Sequence, residues 1–543
     1  MNTQLEQMQQ IKRLVLVSAI CMFILMFFSD NGKKQNVKDV KKTTTNAQTE
    51  EKNNKVVKFK SRDEAIQQRN SEKQIKFENE SISGSISLKG LKIDDLTLKN
   101  YLQDEDKTKN VNILSPVSAP NYYYIDFGWT GENVPNKDTI WNVQKNENQM
   151  IFTANISSNI FKVVMQMQEK YLWKIEMSNS QKNNKLNPYI RIRRSINDLK
   201  QSATNIHEGI ILVKDSILKE EKYSDINNRI SLDTTSKSWI GFGDKYWFSG
   251  IISTNSSQKT ISYGTISDCK KCYQIDIISD ENGEKAEFMI YSGAKEFDEI
   301  KSNEEKYSIP LFDRVIDFGW FYFLTKPILI LIKFLYNLVG NFGIAIIMLT
   351  VFIRILLFPL AHKSYKSMAK LKVVTPKIKE LKERFGSDKK AFNMAIVNLY
   401  KEEKVNPAAG CLPMFLQIPV FFALYKVLIV AIEMRDAPFA LWIVDLSERD
   451  PTSIFNLFGL LGFHVPAFLQ IGILPIFMGF TLYLQQKFSP QPADPTQARM
   501  MKILPPLFTI LFASFPSGLV LYWSINNLIS ILQQWIVARN SKS

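Results

Sequence analysis

Residues 343–360 read GIAIIMLTVFIRILLFPL, a stretch apolar enough to cross a bilayer except for Arg354 in its middle. A guanidinium keeps its charge in a protein. At mid-bilayer such a charge costs about 3 kcal/mol on insertion scales, so it has to face a bundle interior or a water-filled cavity. One residue thus excludes a lone span in lipid and calls for several membrane helices around a polar interior.

The rest of the chain fits that demand. Roughly the first 310 of its 543 residues are polar and rich in Lys and Asn, whereas long apolar runs dominate from Leu311 onward. This is a soluble domain joined to a polytopic membrane domain. The net charge of +15 sits largely in short loops between apolar runs, which fits membrane topology better than nucleic-acid binding. A first apolar run, 14–28, follows Lys12 and Arg13 and lacks a small-x-small cleavage pattern, so it reads as an uncleaved anchor. The Lys-, Asn-, Thr- and Gln-rich residues after it read as a disordered linker.

Between about 59 and 308 the signals are strands. In YLWKIEMSN, Tyr171, Trp173, Ile175 and Met177 fall on one face, with Leu172, Lys174, Glu176 and Ser178 on the other. Similar short runs separated by Asn, Asp, Gly and Ser predict a β-sandwich, closed by a helix at GAKEFDEIKS. Trp239, Tyr246 and Trp247 read as core or, alternatively, as the lining of a sugar or peptide cleft. No triad, metal spacing or phosphate loop is present in the sequence. Cys269 and Cys272 form CKKC, open to two readings: a local disulfide outside the cytoplasm, or a redox motif.

Six spans are expected. Lys326, Pro327 and Lys333 interrupt the apolar run 318–339, which fits a helix lying in the membrane interface. The loop 362–410 holds twelve Lys/Arg against five Asp/Glu, and short cationic loops stay cytoplasmic. One crossing, 342–360, therefore separates it from the outer domain. Spans at 412–432, 468–485, 503–515 and 519–537 follow, and both termini are cytoplasmic. The acidic loop 433–466 falls outside and contains IFNLFGLLGF, too short to span. The 503–515 run covers about 20 Å of a core about 30 Å thick, and Pro505 and Pro506 weaken its start.

The cationic loop itself has helical periodicity. Ile378, Leu381 and Phe385 share one face; after Gly386, Phe392, Ala395, Ile396 and Leu399 share another. This predicts a helical hairpin with cationic outer faces. For Arg354 the spans offer only neutral neighbours: Thr350, Gln417, Ser524, Asn526, Asn527, Gln533 and Gln534. Its charge then serves one of three ends: packing alone, an anion site in a transporter, or a hydrated passage for polar pieces of another protein. A carbohydrate-active outer domain is a further alternative, which the absence of an acid/base pair argues against.

FDRVIDFGW, VGNFG, IRILLFPL, SMAKLK, PKIKELKERFG, LYKEEKVNPAAGCLP, QIPVFFALYKVL, RDAPFALWIVDLSERDP and FPSGLVLYW run in order through almost 230 residues. In them the chain resembles the YidC/Oxa/Alb membrane protein insertase family, in its bacterial branch with a large periplasmic domain. The resemblance implies a polytopic α-helical membrane protein of six spans, five of them an insertase core, with an inserted periplasmic β-supersandwich. It implies an N-terminal membrane anchor (1–29), a disordered linker (30–58), a periplasmic β-sandwich domain (59–308) and an interfacial amphipathic helix (309–341). An insertase core (342–538) with a cytoplasmic hairpin (362–410) and a cytoplasmic tail (539–543) complete it. The protein would insert, fold and assemble integral membrane proteins in the bacterial inner membrane, alone or with the Sec translocon, without nucleotide hydrolysis or cofactor, and so not as an enzyme. Its substrate groove would be lined by Arg354, Thr350, Gln417, Ser524, Trp523 and Asn527. Its recruitment hairpin would use Lys370, Lys377, Lys379, Lys382 and Arg384. Its partners would be nascent membrane proteins, the Sec translocon, ribosome–nascent chain complexes and the phospholipid bilayer. The tail, ARNSKS, departs from family members whose long basic tails serve at the ribosome.

Overall fold

A computed structural model describes residues 61–540, apart from 70–72, 104–106, 148, 181–185, 198–205, 268, 270, 281–284, 387, 404, 406–411, 464, 467–468 and 489–494. The expected anchor (1–29) and linker (30–58) lie outside the described residues, as does the tail beyond Asn540. Among the described residues the chain divides into two compact units. One holds the residues up to Ile210, Glu220–Ser236 and Asn255–Ile290; the other holds Ile211–Lys219, Lys237–Thr254 and the residues from Tyr291 onward.

A helix, α1 (Arg62–Arg69), precedes the strands β1 (Gln74–Glu78), β2 (Ile82–Ser87), β3 (Lys92–Leu102), β4 (Asn110–Leu114), β5 (Tyr123–Trp129) and β6 (Asn142–Lys145). There follow β7 (Gln149–Ile156), β8 (Asn159–Met167), β9 (Leu172–Asn179), β10 (Pro188–Ser195), β11 (Gly209–Lys214) and β12 (Ile217–Lys222). The last are β13 (Ile230–Thr234), β14 (Ser238–Gly243), β15 (Trp247–Ser253), β16 (Lys259–Thr265), β17 (Cys272–Ser279) and β18 (Ala286–Ala294). One sheet has the order β1-β2-β3-β5-β10-β17-β16-β13, with β4 paired to β3; the other has the order β12-β11-β14-β15-β18-β9-β8-β7-β6.

In the first unit the alternation expected for 171–178 holds from Trp173 on: Tyr171, Trp173, Ile175 and Met177 are buried and Lys174, Glu176 and Ser178 are half-exposed, whereas Leu172, expected on the outer face, is buried as well. Strand β10 lies between β5 and β17, and its register stacks Ile125, Ile192 and Ile275 in one row and Phe127, Ile190 and Ile277 in the next. These are buried. The alternate row is Asp126, Arg191 and Asp276, a cross-strand charge ladder. Arg191 lies 3.1 Å and Arg229 2.8 Å from the fully buried Asp276 carboxylate. The two sheets face each other through Phe77 edge-on to Trp173 at 4.8 Å and Trp129 against Phe161 at 4.9 Å. This is a β-sandwich.

In the second unit Trp239, Phe248, Tyr291 and Phe312 form an aromatic knot, and the Trp239 indole donates to the Pro310 carbonyl at 2.8 Å. Trp239 and Tyr246 are core residues. Tyr246 and Trp247 flank the guanidinium of Arg435.

The helices are α2 (Phe297–Tyr307), α3 (Tyr322–Val339), α4 (Phe342–Leu356), α5 (Phe358–Phe385), α6 (Lys389–Glu402), α7 (Leu412–Val430), α8 (Ile473–Phe488), α9 (Pro495–Phe512) and α10 (Ser517–Asn540). Among the described residues, α3 alone is a single helix long and apolar enough to cross a membrane; α4 taken with the start of α5 also qualifies, bent by 68°. The expected continuous run 342–360 is therefore broken. Pro359, in the first turn of α5, has no N–H to bond back across the break.

Helix α3 exposes Phe323, Ile330, Phe334 and Leu338 and buries Ile328, Leu329, Ile332 and Leu335. Its lysines turn inward: Lys326 lies 2.7 Å from Asp313, and Lys333 lies 2.7 Å from Glu433. VGNFG joins α3 to α4. Gly340 ends α3 in the left-handed region (φ 69°), and the Asn341 side chain accepts from Ile344 N–H to cap α4. A Cβ on Gly343 would lie 2.0 Å from the Phe439 ring. Helix α9 begins at Pro495, eight residues ahead of the expected start, with Pro505 and Pro506 inside it; its apolar part is Met501–Phe512.

Candidate functional site

Arg354 occupies the last turn of α4, directly before the bend. Cations are favoured there by the helix dipole. The residue is 7% exposed. Its Nε donates to Asn526 Oδ1 at 2.6 Å, and Nη2 donates to the Asn526 main-chain oxygen at 3.5 Å. The Ser530 hydroxyl donates to that same oxygen at 2.7 Å. Among the described residues Nη1 has no hydrogen-bond partner and no carboxylate pairs with Arg354.

Helix α10 supplies the polar wall. Ser524, Asn526, Asn527, Ser530, Gln533 and Gln534 are all buried, although the helix reads as a membrane span. The Oε1 atoms of Gln533 and Gln534 are buried without a protein hydrogen bond. A buried acceptor left unmet in this way costs about 1–3 kcal/mol.

The other expected groove residues divide. Gln417 on α7 donates to the Tyr522 hydroxyl, one turn before Asn526. Asn527 donates to Thr481 on α8 at 3.1 Å. Thr350 and Ser524 spend their hydroxyls on their own helices, at Ile346 O (2.7 Å) and Val520 O (2.8 Å). Trp523 packs into an aromatic cluster, with ring centroids 5.2 Å from Phe421 and 5.3 Å from Phe512. Among the described residues Asn526 alone hydrogen-bonds the guanidinium; by sequence it is one of the neutral neighbours of Arg354 and not one of the groove residues that the resemblance implies. Tyr522 and Asn526 share one face at i, i+4, a signal within reach of the sequence. Thr481 carried none.

The hairpin has a built seam. Val374, Ile378, Leu399 and Val405 are its buried core, with Leu371, Leu381, Phe392, Ile396 and Tyr400 packed around them. Gly386 turns the chain with φ 43°, and Asp388 caps α6 through Lys390 N–H and Ala391 N–H. Lys370, Lys377, Lys379, Lys382 and Arg384 are all exposed. Lys377 pairs with Glu403 at 2.5 Å, which holds its ammonium above the usual lysine range. Elsewhere, Cys269 and Cys272 are disulfide-bonded, with Cα atoms 5.3 Å apart, and the Tyr122 hydroxyl donates to the Cys272 sulfur.

Apolar-faced helices enclosing a charge and a file of amides, in one chain with a β-sandwich, define an integral membrane protein with a large soluble domain. Comparison with known proteins gives the family. Residues 334–543 match the family described as 60Kd inner membrane protein, and residues 74–331 match the YidC periplasmic domain. The membrane protein insertase YidC of Rickettsia canadensis is 44% identical over 497 residues, covering 88% of this chain and 89% of that protein. The Rickettsia bellii protein of the same name is 43% identical over 500 residues, covering 88% and 89%. A crystal structure of an active YidC insertase is 18% identical, with a TM-score of 0.37 over 85% of this chain and 92% of that one. The chain belongs to the YidC membrane protein insertase family. An inner-membrane location with a periplasmic domain follows from the two family descriptions.

Proposed function

We propose that this protein is a membrane protein insertase and chaperone whose clients pass along a hydrated groove centred on Arg354. The observation that carries the reading is a buried guanidinium at a helix break, held from one side by a neutral amide and with Nη1 unpaired among the described residues. A residue serving packing alone would have its donors met.

The energetics need no chemical step. A client's short polar tail faces a hydrocarbon core about 30 Å thick, and each charge at its centre costs about 3 kcal/mol. A hydrated groove shortens that path. The client's own apolar span supplies the driving force, at about 1.5–3 kcal/mol for each large side chain leaving water. The hairpin, with its cationic exposed faces, receives clients on the cytoplasmic side. The groove-lining roles of Thr350, Gln417, Ser524, Trp523 and Asn527, six spans with cytoplasmic termini, an interfacial α3, and cooperation with the Sec translocon and ribosome–nascent chain complexes belong to the same proposal.

Nothing observed favours the transporter alternative, and the buried ring systems of the β-sandwich region give the carbohydrate reading no support. Reconstitution tests the proposal. A short single-span client translated with proteoliposomes of this protein yields a protease-protected fragment that empty liposomes do not. Equal protection in both, or anion flux in place of insertion, contradicts it.

A further inference from the structure

The depth of Arg354 needs an explanation of its own. Arginine side chains in lipid reach along their helix toward the interface, taking the charge to water. Arg354 is instead 7% exposed and held twice by Asn526, through Oδ1 to Nε at 2.6 Å and through the main-chain oxygen to Nη2 at 3.5 Å. Asn526 is itself a fixed point. It is 5% exposed. Around it α10 is pinned to α7 through Gln417–Tyr522 and to α8 through Asn527–Thr481. The identity of the anchor matters as much as its place. An amide oxygen accepts a hydrogen bond yet carries no net charge, so the guanidinium is positioned without being neutralised. An aspartate of the same shape would hold the arginine equally well and cancel its field.

We propose that Asn526 is a positioning residue that fixes the depth and orientation of Arg354 while leaving its charge, and its Nη1, available to a client's acidic or polar tail. This rests on the groove reading above.

The test uses the full chain in proteoliposomes and two clients that differ only in their translocated tail, one acidic and one neutral. Asn526→Asp keeps the hydrogen bond and the shape. It is expected to lower insertion of the acidic-tail client by about tenfold while the neutral-tail client stays near wild type. A purely structural role would lower both equally, and that result overturns the proposal. Asn526→Ala serves if Asn526→Asp does not fold; it is expected to lower acidic-tail insertion several-fold. Arg354→Ala is run beside them. If it impairs insertion while both Asn526 variants behave as wild type, Asn526 has no such role and the groove reading stands. If Arg354→Ala inserts both clients normally, the groove reading falls and this inference with it.

Discussion

The Nζ of Lys333 lies 2.7 Å from Oε1 of Glu433, joining α3 to the turn that follows α7. The same oxygen accepts from Phe297 N–H at the start of α2. One carboxylate therefore ties α2 and α3 to the turn after α7, and the lysine that interrupts an apolar run is accounted for, being paired also with Asp298 at 2.8 Å. The side chains of the pair are 15% and 18% exposed, between the exposed and the buried regimes.

Glu433→Gln should then destabilise the helical unit by about 2 kcal/mol, less than the 3–5 kcal/mol of a fully buried pair. The loss should show as a lower thermal unfolding midpoint in detergent. The charge-swapped double variant Lys333→Glu/Glu433→Lys should recover only part of it, because a lysine at 433 cannot accept from Phe297 N–H and a glutamate at 333 would face Asp298. Full recovery would remove the helix-capping role assigned to Glu433.

The β-sandwich carries a pH response. Asp94 is buried beside Arg69, 2.8 Å away, and burial outweighs the attraction of that guanidinium, raising its carboxyl to about 6. A raised acid binds its proton more tightly in the folded state, so its contribution to stability is complete below the unfolded value near 4 and is lost as pH rises through 6. Two pH units correspond to about 3 kcal/mol. Stability of this unit, read by hydrogen exchange in β3, should rise from pH 7 to pH 5. In Asp94→Asn that rise should be absent; an unchanged slope in the variant would contradict the assignment.

Gly343 has no room for a side chain, since a Cβ would meet the Phe439 ring. Gly343→Val should cost about 1–3 kcal/mol by overpacking, while Gly343→Val with Phe439→Ala should recover part of it. Additive losses in the double variant would show that the two do not meet.

Much of this was legible because it repeats. A period of two placed Trp173, Ile175 and Met177 on one buried face, and helical spacing placed Ile378 and Leu399 in the hairpin seam. What depended on distant partners was not. The acceptor for Arg354 is a neutral amide 172 residues away, one of several equivalent amides by any local rule. Lys326 and Lys333 read as breaks in a span, because Asp313 and Glu433 reach them only through tertiary structure. The start of α9 was missed for a different reason. Hydropathy marks only its apolar half, whereas the helix opens on Pro495, a favoured first-turn residue. The bend after Arg354 did carry a signal, Pro359, which apolar composition masked.

The hairpin seam predicts a separable effect. Leu399→Ala or Ile378→Ala should loosen the hairpin by about 2–4 kcal/mol, seen as faster hydrogen exchange in α5 and α6. Exchange in α4 and α10 should be unchanged, and client insertion should fall because recruitment is impaired. Normal insertion with a loosened hairpin would show that its folded form is dispensable.

The central claim is that Arg354 keeps a passage for clients open, and insertion into liposomes holding only this protein measures it. A single-span client with a short acidic outer tail is translated in the presence of wild-type or Arg354→Ala proteoliposomes, and the protease-protected fragment is quantified. The account predicts protection by the wild type and a loss of about tenfold in the variant, with the variant still folded and unfolding cooperatively. Equal protection by the two proteins would contradict it and leave Arg354 as a packing residue.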